Sequence, residues 1–216
     1  MCNLYSMTRS QDAIRQLFKV TKDSAGNLPS LPAIFPERLA PVVRRADGGR
    51  ELLQMVWGMP NRKYGTYNTN IRYLQFWNEW LGPENRCLVP VTSFSEYDDT
   101  PSPDGKKDIV WFSPDDSRPL FAFAGIWTEW DAVRGPKKEP TATGPHRAFG
   151  FLTTTPNATV AAVHKKAMPV ILHEDDWDTW LTSDARTAKT MQRPWPDGGL
   201  KIVARGRQKL DQACAS

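Results

Sequence analysis

The sequence predicts an α+β fold in which antiparallel strands dominate and helices are few and short. Short apolar runs of strand length recur at 87–94, 109–113, 119–127, 148–154 and 200–204, set off by Gly, Pro, Asn and Asp clusters. Only brief stretches repeat at helical period. No repeat or compositional break divides the 216 residues into two cores, and one domain of that length buries a sizeable core.

The elements follow in order. Ser10 caps a predicted helix with Ile14, Leu17 and Phe18 on one face. Residues 29–36 (PSLPAIFP) must be extended, because proline biases the residue before it away from the helical region. Residues 40–45 and 51–57 flank Asp47-Gly48-Gly49, a hairpin signal. Residues 61–70 are polar and rich in Gly, Tyr and Asn, and read as a loop. Pro90, inside the 87–94 strand, predicts an edge or a bulge. Residues 98–108 read as a polar hairpin connection and 131–146 as a flexible loop. Short helices are expected near 156–163 and 175–181, and the chain after Arg205 reads as a loose tail over 206–216.

Composition narrows the function classes. No stretch approaches the ~18–20 apolar residues of a membrane span, and the polar start lacks the apolar region of a signal peptide. The three cysteines, Cys2, Cys87 and Cys214, are odd in number and lack CxxC spacing, which argues against a disulfide framework and a zinc cage. A reducing cytoplasm fits them; no metal, no cofactor and no membrane are expected. The net charge of +4 permits a polyanion-binding surface without demanding one, and nine tryptophans offer both packing and stacking surfaces.

Four segments carry groups suited to chemistry: Met1-Cys2-Asn3-Leu4-Tyr5, Thr69-Asn70-Ile71-Arg72, residues 87–97 and residues 164–172. Removal of Met1, usual before a small residue, would leave Cys2 with an amine and a thiol on adjacent carbons. Such an amine has a pKa of ~7.7–8.0 and is partly neutral near pH 7; the thiol is a second nucleophile once ionised. One residue can then attack a carbonyl twice. A start residue without a role is the plain alternative. Glu96 closes an apolar strand, where it is either a desolvated general acid or a solvent-facing strand end. His164 is a proton shuttle or a capping histidine. Asn70 orients an amine or sugar oxygen, or serves a turn. Arg72 holds a phosphate or lies on the surface. Trp57 is a packing residue or, with Tyr97, a stacking platform. His146 and His173 read as structural.

Together these segments resemble the SOS-response-associated peptidase family, proteins that crosslink to abasic sites in single-stranded DNA. The resemblance rests on MCNLYS at the start, Trp57-Gly58, NIR at 70–72, ENRCLVPVTSFSEY at 84–97 and HKKAMPVIL at 164–172. It implies one domain of that type over 1–205, with a barrel-like sheet. It further implies that Cys2 is the nucleophile, Asn70 orients the amine, Glu96 assists ring opening and His164 assists imine chemistry. Arg72 would contact phosphate, with Lys165 and Lys166 beside it, and Thr153 would lie near the site. The implied partner is single-stranded DNA containing abasic sites, bound by a monomer in the cytoplasm, nucleoid-associated in a bacterium. Asn3 and Leu4 stand where the family commonly has Gly and Arg, and Pro32-Ala33-Ile34-Phe35-Pro36 lacks a frequent asparagine. The 70–96 stretch is short, and His164 lies one residue further than usual from Met168-Pro169. These departures suggest a subgroup that keeps the reaction centre and alters the DNA grip. An N-terminal-cysteine peptidase, with autoproteolytic or amidohydrolase activity, is the rival enzyme reading, and a noncatalytic single-stranded-DNA-binding module the rival outside enzymes. A papain-like protease fits less well, because its cysteine sits on a helix.

Overall fold

The computed structural model describes residues 2–61 and 66–211. Five strands close into a ring. Leu39–Ala46 and Gly49–Trp57 form an antiparallel hairpin around Asp47 and Gly48, with Ala46 opposite Gly49 and Gly48 at φ +78°; only glycine adopts that angle without cost. Leu39–Ala46 pairs with Arg86–Val91, which pairs with Phe121–Asp131, which pairs with Pro145–Thr154. Pro145–Thr154 returns in parallel to Gly49–Trp57 and shuts the ring. The mostly antiparallel, barrel-like α+β expectation agrees with this architecture. Closure removes the sheet edges that would otherwise invite pairing with other chains.

Inside the ring lies an aromatic cluster. Tyr5 meets Trp57 edge-on at 5.0 Å, Trp57 stacks on Phe151 at 5.2 Å, and Phe123 lies 4.8 Å from Phe151. All four are fully buried, and each contributes on the order of 2–3 kcal/mol by leaving water.

A second sheet of five antiparallel strands lies alongside, in the order Lys201–Gly206, Ile109–Ser113, Ser93–Tyr97, Tyr5–Met7, Leu31–Ile34. The apolar run at 87–94 therefore serves both sheets: it turns at Thr92, whose N–H donates to Ser6 O at 2.9 Å. Pro90 sits in an interior strand, yet Leu39–Ala46 pairs only with Leu88 and Cys87, so the ladder on that side ends before the residue that lacks a donor.

The helices are short. Ser10 caps Gln11–Leu17 by accepting from Ala13 N–H, with Ile14 and Phe18 buried. Asn157 caps Ala158–Ala161 in the same way through Val160 N–H. Trp177–Thr182 was anticipated from the sequence; Ala185–Thr190 was not, because ARTAKT is polar and carries no apolar stripe. Among the described residues no helix is long and apolar enough to cross a membrane.

Two loop expectations change. The 61–70 stretch contains the strands Thr66–Asn68, paired with Met59–Asn61, and Asn70–Ile71, paired in parallel with Pro145–Thr154; 62–65 lie outside the described residues. The 131–146 loop is held by Arg134, 2% exposed, which donates to Gly58 O at 2.9 Å, meets Glu37 at 3.3 Å and lies over the rings of Tyr67 and Trp130. Gly58, at φ +134°, is required there, since a Cβ would meet Arg134 Nη2 at 2.6 Å.

The loose-tail expectation is corrected over 207–211. Asp211 is buried, pairs with Arg118 at 2.8 Å and accepts from Ser93 Oγ. Residues 212–216, Cys214 among them, lie outside the described residues.

Candidate active site

Strand register brings the segment that begins at Cys2 alongside the strand of Glu96, near enough for the Glu96 charge to act on the Cys2 thiol. Tyr5 pairs with Phe94 and Ser6 with Ser93. Leu4 continues the pairing, its carbonyl accepting from Ser95 N–H at 3.0 Å and from Ser95 Oγ at 3.3 Å. The same carbonyl accepts the Cys2 thiol at 3.5 Å. Alternation along Ser93–Tyr97 sends Ser95 and Tyr97 to one face and Glu96 to the other, where its strand partner is the fully buried Val110. Glu96 is therefore 4% exposed. Burial pushes its carboxyl up to about 7, because the interior disfavours the charged form.

His164 reaches Glu96 from the turn after Ala158–Ala161. Its N–H donates to Val160 O at 2.7 Å, and Asp99 N–H donates to Val163 O at 2.8 Å, binding this turn to the end of the Glu96 strand. His164 Nε2 lies 3.7 Å from Glu96 Oε2, and Nδ1 lies 3.2 Å from Asp99 Oδ1. Burial lowers the His164 pKa, with Asp99 opposing the shift, so the imidazole is mostly neutral near pH 7. Asp99 is held below the usual carboxylate range by the Lys165 N–H, reinforced by His164. The three form a line of proton-exchanging groups: carboxyl, imidazole, carboxylate.

Asn70 reaches the same place from the opposite sheet. Its Nδ2 donates to Cys2 O at 3.0 Å and to Thr69 Oγ1 at 2.8 Å, and it approaches Asn3 Oδ1 at 3.4 Å. Thr69 Oγ1 donates to Asn3 Oδ1 at 3.2 Å. Asn70 Oδ1 is buried and accepts nothing among the described residues. Such an acceptor is costly unless a ligand or water fills it. The Cys2 thiol is 1% exposed and its pKa is raised, first by burial and then by the charge of Glu96. The resting sulfur is a thiol, not a thiolate.

Two neighbouring hollows flank this centre, and Asn3 and Pro36 line both. One, of about 270 Å³, is lined by Leu4, Phe35, Glu96, Tyr97 and Lys209; the other, of about 430 Å³, by Tyr67, Thr69 and Asn70. Phe35 and Tyr97 present exposed rings to the first.

The structure thus brings Cys2, Asn70, Glu96 and His164 together. Arg72 and Thr153 lie side by side, bridged by Gln192, whose amide donates to Arg72 O at 2.7 Å and to Thr153 O at 2.8 Å. Arg72 Nη1 and Thr153 Oγ1 are both buried without partners among the described residues. Lys165 and Lys166 are exposed beside His164. Trp57 is corrected as a stacking platform: it is fully buried and donates to Thr69 O at 3.2 Å, supporting the Asn70 segment from below. Asp99 and Asn3 escaped the sequence reading. Asp99 opens a polar stretch, and nothing local marks it as the partner of a residue 65 positions away. Among the described residues no cluster of His, Cys, Asp and Glu is placed to hold a metal.

A closed five-strand barrel with a flanking sheet, presenting a cysteine at position 2 to a buried carboxyl–imidazole pair, defines a narrow class of proteins. The chain belongs to the SOS response associated peptidase (SRAP) family, whose model matches residues 1–204. It is 32% identical over 96 residues to the abasic site processing protein YoqW of Bacillus subtilis, covering 44% of this chain and 38% of that protein. YoaM, an abasic site processing protein of the same organism, is 33% identical over 96 residues, covering 44% of this chain and 37% of YoaM. These matches span less than half the length of either relative. A protein of Bordetella bronchiseptica shares the fold with a TM-score of 0.73 at 21% identity, over 97% of this chain and 100% of that one. A protein of Bacteroides thetaiotaomicron shares it at 0.70 and 19%, over 93% and 90%.

Proposed function

We propose that the chain captures abasic sites in single-stranded DNA through Cys2, forming a covalent thiazolidine that protects the lesion. The observation that carries this reading is the setting of Cys2: its carbonyl held by Asn70, with an unfilled acceptor on Asn70 Oδ1, next to a buried carboxyl whose pKa is raised to about 7 and a mostly neutral imidazole. After loss of Met1, the amine of Cys2 adds to the ring-opened aldehyde of the sugar, with Asn70 Oδ1 accepting one of its hydrogens. Glu96 gives its proton to the departing oxygen, which leaves as water, and a protonated imine remains. The thiol then adds to the imine carbon; its proton passes to Glu96, with His164 relaying, and the imine nitrogen becomes an amine. Aldehyde and cysteine yield thiazolidine and one water. Holding amine, thiol and aldehyde together supplies effective molarities of ~10⁵ M or more. A raised thiol pKa suits this order, because sulfur waits until the imine exists and a base is at hand.

The same family includes peptidase in its description, and the Glu96–His164 pair is also suited to cleaving the Met1–Cys2 bond. Intact-mass measurement separates the readings. Purified protein mixed with an abasic single-stranded oligonucleotide should gain the mass of the strand less one water, from a form lacking Met1. Peptide hydrolysis without any DNA adduct would favour the peptidase; neither product would leave only a binding module. Affinity for single strands should fall with added salt if Arg72, Lys165 and Lys166 meet phosphates. The chain is expected to act as a monomer in the cytoplasm.

Asp99 provides a further check. Asp99→Asn removes the charge that favours imidazolium on His164. The adduct should form roughly tenfold more slowly, the scale of one charge-assisted hydrogen bond. The pH profile should change with it, since the His164 pKa falls further. Stopped-time gels across pH 5.5–9 read both; an unchanged profile would make Asp99 a loop staple only.

A further inference from the structure

The family match ends at residue 204, yet the chain continues across the sheet that carries the site. After Lys201–Gly206, one edge of that sheet, the backbone passes over Trp111, whose indole N–H donates to Gln208 O at 3.3 Å. It then meets the opposite edge, where Asp211 N–H donates to Pro32 O at 2.9 Å. Residues 207–211 thus cross all five strands, over the small apolar cluster of Leu4, Ile109 and Trp111. The far end is tied by a built contact. Asp211 is 2% exposed, pairs with Arg118 at 2.8 Å and accepts from Ser93 Oγ, with Ser6 Oγ at 3.5 Å. Arg118 is itself held by Val203 O at 3.2 Å. A buried, hydrogen-bonded ion pair specifies one position for the segment more than it adds net stability.

That position puts Lys209 in the 270 Å³ hollow with Asn3, Phe35, Glu96 and Tyr97. The other cations leading into this segment are neutralised. Lys201 lies 3.6 Å from Asp116, Arg205 pairs with Asp98, and Arg207 pairs with Asp104 and Asp108 at 2.7 and 2.8 Å. Lys209 has no carboxylate partner among the described residues. An exposed ammonium sharing a hollow with two exposed aromatic rings, beside the Asn3 that also lines the hollow of Asn70, is an arrangement that holds a nucleotide: rings for the base, cation for the phosphate.

We propose that residues 207–211 are a strap that fixes Lys209 as the phosphate contact for the nucleotide flanking the reacting sugar. This rests on the reading of the site as a single-stranded-DNA centre. The test uses the full chain with a fluorescent single-stranded oligonucleotide, undamaged so that binding is read apart from chemistry. Anisotropy titrations between 50 and 300 mM salt give the slope of log K against log salt. Lys209→Ala should weaken binding several-fold and reduce the slope by about 0.7, the value for one phosphate contact on a single strand. Lys209→Glu should weaken it further, and Lys209→Arg should restore both affinity and slope. Asp211→Asn, which frees the strap, should lower affinity while the slope moves toward that of Lys209→Ala. If the unaltered chain binds no single strand, the function proposed above fails and this inference with it. If it binds and Lys209→Ala keeps the slope, the inference alone is overturned. A shift in the pH profile of adduct formation with no change in slope also overturns it, because Lys209 would then be acting on Glu96 and not on phosphate.

Discussion

Cys2→Ala should abolish the heat-stable DNA adduct while leaving single-strand affinity within about threefold. Alanine keeps the amine and removes only the sulfur, so the aldehyde can still condense to an imine. Without a ring-closing thiol the imine has two exits: hydrolysis back to aldehyde, or loss of the 3′ phosphate by β-elimination. The variant should therefore show strand cleavage in place of capture, and borohydride should trap its imine. Cys2→Ser, with a poorer nucleophile at the same position, should give at most a trace of stable product. The loss in yield should exceed ~100-fold, because the sulfur acts from within the same residue and no external thiol approaches the effective molarity of an intramolecular one. A denaturing gel with abasic single-stranded DNA, run with and without borohydride, measures all three. A heat-stable adduct from Cys2→Ala without reductant would remove Cys2 sulfur from the chemistry. The Leu4 carbonyl that holds the thiol is itself held by Ser95, so the strand register should survive, and an unchanged melting curve within a few degrees would confirm that chemistry, not folding, was lost.

What the sequence could and could not convey follows from how far each signal reaches. The Ser10 cap, the Asp47-Gly48 turn and the apolar strands are local: a turn or cap needs only its neighbours. Cys2, Asn70, Glu96 and His164 stood out because their flanking segments repeat a family pattern, and the structure draws them to one place. Arg134 did not stand out. It lies in a Gly-, Pro- and Lys-rich stretch that reads as solvent-exposed, and its partners Glu37, Gly58 and Tyr67 come from distant positions. Asp211 failed for the same reason: its value lies in Ser6, Ser93 and Arg118, each far along the chain. Trp57 was seen as either packing or stacking; periodicity alone cannot tell a buried tryptophan from an exposed one, whereas barrel closure places it inside. Asn3, a departure from the commoner family residue, holds Thr69 and faces Asn70. One of the departures from the family pattern is thus part of the scaffold of the site.

Glu96→Gln should slow adduct formation by about 10²–10³, the usual weight of a general acid, and should erase one limb of the pH profile. In the unaltered protein two ionisations oppose each other. The Cys2 amine must be neutral, which favours pH above ~7.7–8.0. Glu96 must hold its proton, which favours pH below about 7. Their product is a bell with its maximum between those values, and Gln removes the alkaline decline while leaving the acid limb of the amine. The same substitution separates catalysis from folding through the sign of the linkage. The Glu96 pKa is raised in the folded state, so its contribution to stability is full below the unfolded value near 4.5 and is lost as pH rises through 7. That loss approaches ~3 kcal/mol by pH 9, at about 1.4 kcal/mol for each tenfold difference in proton affinity between the folded and unfolded chain. Glu96→Gln carries no charge to bury and should be the more stable protein at pH 9, with little difference at pH 5. Denaturant midpoints at the two values read this directly. A variant slower in capture yet harder to unfold in alkali would show that burial of this carboxyl serves the reaction at the expense of the fold. Equal stability at pH 9 would mean that Glu96 ionises freely in the folded chain, and the acid would have to be sought at His164.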